Sequence, residues 1–584
     1  MSAFLLAIYN YIHPLTTVIV KKNLLLLCFA TFFTSTLLAQ ELHLDTIVAT
    51  YERFQKTHSE LMKSAWPLNS TADLQANYDD YASFIAQLDK IESDKLEGQD
   101  LINYELLRFI IQDRLDNLSY QDYLFPLNAE GGFILGMIYG TRTVSLSNQE
   151  AVDNYLAKLR DTKRYIDQNI SWMRKGLDDN KVMPKLVVNN CLNILRSAVS
   201  AQADFLSKPI MNQDVDEDAK KEVRKLVTLE LMPWLKKLEN FLEQEYLPRT
   251  YEQVGVSNNT EGKAYYEQRV RYYTTLGMTP QEVYDTGLRE VERIKSEMQT
   301  IIDKLGFEGD FADFIKFLRE DPKFYAKTEQ ELLNQAAWFS IKAQEILPRY
   351  FNKIYRLPFT VKPVPAEIAP TYTTGRYSGG SQKDGRCGQY WVNTYNLPAR
   401  PMYVLAALTL HEAVPGHHMQ ISLAKELEGL PKFRTTQYLS AYGEGWGLYA
   451  EYLGKEAGMY TSPYDDFGRL TYEMWRACRL VVDPGMHYFG MTRAEAVAFM
   501  SENTSLSLHE VNSEIDRYIG WPGQAVSYKI GELKIRELRK LAETTLADKF
   551  DIRDFHDLIL ANGSVPLLTL ERIVMEYIEE KNKD

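Results

Sequence analysis

The sequence predicts a mainly α-helical protein in two lobes with one small β element, on three observations. Apolar residues recur at three and four through most of residues 44–350. Between Leu357 and Pro401 the pattern becomes short, β-branched or aromatic, and broken by Gly and Pro. An apolar run, Tyr403 to Leu410, then reads as a buried helix.

At the N terminus, residues 1–39 read as a secretory signal peptide: Lys21-Lys22, the apolar run Leu24–Leu38, and Ala39 as the last residue removed. Leu37 stands where a small residue is usual, which leaves an uncleaved anchor as the alternative. Cys28 follows Leu27 inside the apolar run and argues against a lipoprotein. The expectation is an exported, periplasmic or secreted protein with no membrane span after signal removal. The mature chain keeps Cys191, Cys387 and Cys478, so at most one disulfide forms and the fold rests on its core. With 584 residues, 45% of them apolar, that core is large. The formal charge of −13, with no long basic run, offers nucleic acid no footprint.

Residues 40–250 form the first expected lobe. Long amphipathic helices are predicted over Ala151–Lys175 and Asp216–Glu245, and another over Pro280–Leu305 in the second lobe, 251–584. Thr279-Pro280-Gln281-Glu282 is a helix start, with Thr as N-cap, Pro at the first position and Glu three beyond the cap. Strands are expected in a small sheet at about 357–400, from Thr360–Pro365, Tyr372–Thr374 and Gln389–Tyr395.

The apolar helix ends in His411-Glu412-Ala413-Val414-Pro415-Gly416-His417-His418. A His-Glu pair on a helix followed by another His is the core of a zinc-hydrolase signature, with the Glu acting on a water. The usual His-to-His spacing is one turn. Here the fourth position is Pro415, and on an ideal helix His417 points about 120° away from His411. Pro415 has no N–H to give and crowds the preceding turn, so Pro-Gly must widen or break the helix. A widened turn brings His417 to the ligand position, with His418 in reserve. Downstream, Gln437–Leu453 is helical in pattern yet carries Gly443, Gly445 and Gly447. Each costs about 1 kcal/mol relative to Ala. Close approach to a neighbouring helix is the offset this predicts, bringing Glu444 to the histidines.

The motif resembles the signature of the bacterial domain-of-unknown-function family 885, a zinc-peptidase-like group. Glu444–Glu451, Leu480–His487 and Arg517–Gly531 are similar to later blocks of that family. A more distant likeness, in spacing, is to helical gluzincins such as thimet oligopeptidase and angiotensin-converting enzyme. Dipeptidyl peptidase III offers a precedent for the lengthened spacing. The resemblance implies one Zn2+ held by His411, His417 and Glu444, with Glu412 as general base and Glu451 behind a ligand. It makes Tyr528 and Tyr518 the leading oxyanion donors, with His487 as a further donor. By analogy with gluzincins, the strand Gln389–Tyr395, with Tyr390 and Asn393, lies with a free edge along a cleft and pairs with an extended peptide. Arg479 and Arg517 have the chemistry to take a peptide carboxylate. The function implied is zinc-dependent hydrolysis of short peptides. The alternatives are a non-catalytic exported peptide-binding protein and a metal-dependent hydrolase of a non-peptide ester or amide.

Overall fold

Capping chemistry and apolar periodicity set most of the helices in the computed structural model, which describes residues 43–583 except 129–131, 143 and 367. The expected signal peptide lies outside these residues. Among the described residues no helix is long and apolar enough to cross a membrane.

The fold is mainly α-helical. Helix α1 (Pro280–Leu305) begins as its sequence predicts: Thr279 accepts from the Glu282 N–H while the Glu282 carboxylate accepts from the Thr279 N–H. The helix at Gln149–Asp178 exceeds its predicted span by two or three residues at each end. The predicted Asp216–Glu245 helix is interrupted. Its turns widen at Val227–Leu231, just before Pro233, and again at Leu242–Tyr246, just before Pro248. A proline withholds the N–H that the preceding turn needs, and a wider turn accommodates this.

The small sheet has three strands, β1 (Phe359–Pro363), β2 (Gly375–Ser378) and β3 (Gly388–Val392), in the order β1-β3-β2. β1 runs parallel to β3, pairing Phe359 with Gly388 through Pro363 with Val392. β2 runs antiparallel to β3, pairing Gly375 with Val392 and Tyr377 with Tyr390. The strand expected to carry a free edge is therefore the central one, bonded on both sides, and the expected strand at Tyr372–Thr374 starts three residues later. The sheet is small enough that either neighbour of β3 is an edge, and β2 is the one that lies against the motif.

Four further helices surround the motif: α2 (Leu405–Glu412), α3 (His417–Glu426), α4 (Ser440–Glu456) and α5 (Pro463–Pro484). A fifth, α6 (Ser527–Leu546), packs along α4. The α4–α6 contact is backbone on backbone. A Cβ at Gly445 would lie 2.6 Å from the Gly531 backbone, and one at Gly531 would lie 1.9 Å from the Ala441 carbonyl. The glycines that weaken α4 as an isolated helix are thus what let α6 approach. One continuous apolar cluster runs from Leu44 to Ile578, across the boundary expected between lobes. Cys191, Cys387 and Cys478 are all free thiols.

Candidate metal centre

The motif does not widen its helix; it breaks it. α2 ends at Glu412, the chain turns through Ala413 to Gly416 with a cis Val414–Pro415 bond, and α3 starts at His417. The His418 N–H donates to the Ala413 carbonyl, and Trp446 Nε1 donates to the Pro415 carbonyl at 2.8 Å. Gly416 is required by close approach, since a Cβ there would lie 2.0 Å from the His411 carbonyl oxygen. This tight fold-back brings the His411 and His417 rings to 4.7 Å between centroids, nearly perpendicular.

Glu444, on α4, completes a cluster of three whose ligand atoms all lie within 4.8 Å of one another. Its Oε2 is 3.4 Å from His411 Nε2 and 3.2 Å from His417 Nε2. Gly447, one turn on, leaves room for His411, because a Cβ there would lie 2.7 Å from the imidazole Cε1. His411 Nδ1 is 2.8 Å from Glu451 Oε1, and Arg476 reaches the same oxygen at 3.3 Å. Burial disfavours charge on His411, but the Glu444 and Glu451 carboxylates outweigh it and hold the ring up at about 9. Burial alone would raise Glu444, yet His417 and His411 hold it well below the usual carboxylate range. The site therefore favours positive charge at its centre.

The two separations from Glu444 to the imidazoles match the edges of a tetrahedral site for a divalent ion. The edge of a tetrahedron is about 1.63 times its bond length, so bonds of about 2.0–2.1 Å to nitrogen and oxygen give edges of about 3.3–3.4 Å. The cluster can hold a metal ion with three protein ligands.

The other residues singled out in the sequence fall into two groups. Glu412 is at the site: its Oε2 accepts from the Tyr377 backbone N–H on the outer side of β2 at 2.7 Å. Tyr528 is there too, with its ring 6.5 Å from that of His411 and the Arg479 guanidinium 4.2 Å over it. The remainder are committed elsewhere, which corrects the roles expected of them. The Tyr518 hydroxyl donates to Glu514 and accepts from Arg479 Nε and Trp475 Nε1, so it has no proton left for an oxyanion. His487 accepts from the Val256 N–H at Nδ1 and donates from Nε2 to the Tyr518 carbonyl; burial pushes it down to about 4, and it is a neutral structural histidine. Arg479 and Arg517 share Glu514 instead of presenting a fork to a substrate. Guanidinium groups this buried need a permanent carboxylate partner. The Tyr390 hydroxyl is buried 3.4 Å from Thr409, and the Asn393 amide donates to the carbonyls of Ala369, Tyr372 and Thr373. Neither offers surface to a peptide. His418 sits among Tyr355, Phe359 and Tyr377, with Nδ1 3.0 Å from the Tyr377 hydroxyl, outside the cluster.

Two residues that sequence reasoning passed over also shape the site: Tyr377, through its backbone, and Tyr438, whose hydroxyl donates to Glu444 Oε1 at 2.9 Å. The signal for Tyr438 was Gly443, where a Cβ would lie 2.3 Å from the Tyr438 ring.

Among solved structures, a protein of Colwellia psychrerythraea described as a candidate lipoprotein superposes with a TM-score of 0.83 at 26% identity, covering 92% of this chain and 99% of its own. A Shewanella oneidensis protein, described as a candidate lipoprotein of unknown function, gives 0.71 at 18% identity, covering 91% and 98%. A Pyrococcus furiosus carboxypeptidase reaches only 0.37 at 11% identity, covering 94% and 100%, below the level at which two folds are the same. No curated protein sequence matches this chain. The family model described as "Bacterial protein of unknown function (DUF885)" matches residues 48–574, and the chain belongs to that family.

Proposed function

We propose that this protein is an exported zinc hydrolase acting on short peptides. The observation that carries the reading is the pair of imidazole Nε2 atoms at 3.2 and 3.4 Å from one Glu444 oxygen, with Glu412 fixed beside them. Three protein ligands with a fourth position open is the catalytic arrangement, in contrast to the closed structural one. When bound, zinc supplies a Lewis acid that polarises a carbonyl and lowers the pKa of a water toward 7.

The chain's own groups do the rest. Glu412 takes a proton on the oxygen that the Tyr377 N–H leaves open and passes it to the leaving amine. The Tyr528 hydroxyl donates to the developing oxyanion, a contribution of about 2.7–4 kcal/mol for one such donor. Glu451 fixes the His411 ring through Nδ1. His411, His417 and Glu412 are all buried, which keeps a folded protein off them and favours short, flexible chains as substrates. Export is supported by the N-terminal sequence and by the lipoprotein descriptions of the two relatives.

Metal analysis and digestion of a defined peptide library test the proposal. The expected result is one zinc per chain and cleavage that a chelator stops. Glu412→Gln should keep the zinc and lose turnover by at least 100-fold, the order that removal of a general base implies (~10²–10⁴). A chain without zinc, or zinc-loaded protein that cleaves no peptide, overturns the reading.

A further inference from the structure

The two oxygens of Glu444 have different surroundings. Oε2 faces both histidines. Oε1 accepts the Tyr438 hydroxyl at 2.9 Å. Tyr438 lies just before α4, six residues ahead of Glu444, and its ring folds back over the first turn of that helix. Gly443 is the condition for this, since a Cβ there would lie 2.3–2.4 Å from two ring carbons and the hydroxyl oxygen of Tyr438. The segment is tethered on the other side by the Leu439 N–H, which donates to Ser564 Oγ at 2.8 Å. The same ring stands 6.4 Å from the His417 imidazole. A phenol has one proton to donate, and here Glu444 takes it.

We propose that Tyr438 is a positioning residue that holds Glu444 to ligation through one oxygen. The inference rests on the zinc reading. A carboxylate whose second oxygen is free can close onto a small cation with both atoms, adding a donor to the metal and narrowing the position left for water and substrate. With Oε1 tied to Tyr438 and Oε2 between the imidazoles, Glu444 stays a one-oxygen ligand. The cost of Gly443 inside a helix, about 1 kcal/mol relative to Ala, then has a reason in the ligand geometry.

The test uses the full mature chain loaded with Co2+ in place of zinc. Tyr438→Phe removes one hydroxyl from a residue that is 41% exposed, so the fold should survive; circular dichroism checks this. The expected result is a metal Kd raised by about tenfold or more, the size typical of losing a partner behind a ligand. The visible cobalt bands should also weaken severalfold, as coordination rises from four toward five. Gly443→Ala, which drives the ring off the helix, should reproduce the spectral change. Tyr488→Phe, which removes a hydroxyl that donates to Glu267 instead of Glu444, should keep the wild-type Kd and spectrum. A Tyr438→Phe protein with wild-type Kd and wild-type spectrum overturns the proposal while leaving the zinc reading standing. A wild-type chain that takes up neither Co2+ nor Zn2+ overturns both.

Discussion

Gly445→Ala sets two physical effects against each other, and the structure decides the sign. In an exposed helix, Gly→Ala stabilises by about 1 kcal/mol through backbone entropy. Gly445, however, faces Gly531 across the α4–α6 contact, and the new Cβ would lie 2.6 Å from the Gly531 Cα and carbonyl carbon. Ordinary contact begins at 3.4 Å, so the two backbones must part by 3.4 − 2.6 = 0.8 Å. No side chain on the other side can rotate away, because the clashing atoms are main chain. Overpacking of this kind costs about 1–3 kcal/mol, and a rigid partner places it toward the upper end. The net expectation is a loss of about 1–2 kcal/mol. Because α4 carries Glu444 and α6 carries Tyr528, the same displacement loosens the site. Urea unfolding gives the stability, and hydrogen exchange read by mass spectrometry over residues 440–456 and 527–546 localises the effect. A variant more stable than wild type, with unchanged exchange in both helices, would refute the packing argument.

The remaining predictions concern charge. Lys529 is fully buried and contacts Glu473, Glu532 and Glu290 at 2.8–3.0 Å; Lys529→Met should destabilise by about 3 kcal/mol. The same change at Lys63, in an exposed pair with Glu60, should leave the urea midpoint essentially where it is. Equal urea midpoints for the two variants would contradict this. The second concerns acid: burial pushes His487 and His556 down to about 4 and about 3, below the unfolded value of about 6.5. Their contribution is fully present above pH 6.5 and is lost as pH falls toward 4 and 3, at about 3 kcal/mol each by pH 4. The urea midpoint should therefore drop between pH 7 and 4, and His556→Gln should flatten that drop; a slope unchanged in the variant would count against it.

Local signals carried far in this chain. The Thr279 capping box, the buried run leading to His411, the helix break at Pro415 and the glycine-marked approach of α4 were all legible, because each is settled by residues within one or two turns. Strand order was not. β3 is flanked by β1 from before it and β2 from between them, and nothing in a five-residue pattern says which neighbour ends at the edge. The polar candidates failed for a related reason. Sequence gives the donors of Tyr518, His487, Arg479 and Arg517, but not that Glu514 and the Tyr518 carbonyl absorb them. Tyr438 was hidden in the opposite way, as an exposed tyrosine whose importance shows only through the glycine beneath its ring.

α5 shows why those charges are inside at all. Arg469, Glu473, Arg476, Arg479 and Asp483 recur at three and four along it, a stripe that on most helices faces water; here all five are buried. Arg469 and Glu473 join Lys529 of α6, Arg476 reaches Glu451, Arg479 reaches Glu514 and lies over Tyr528, and Asp483 accepts from Tyr266 and the Gly523 N–H. Burying an ion pair rarely stabilises a fold more than apolar packing of the same volume would, so stability does not explain the stripe. Position does. Each pair admits one geometry, and two of them end on groups at the candidate centre: Arg476 through Glu451 on His411, and Arg479 on Tyr528. On the proposed reading, in which His411 is a ligand and Tyr528 a hydroxyl donor, a centre held by fixed charges needs little reordering when an ion or a substrate arrives, which is the form of preorganisation that electrostatic catalysis requires. The ionic face of α5 is thus better understood as part of the site than as part of the core.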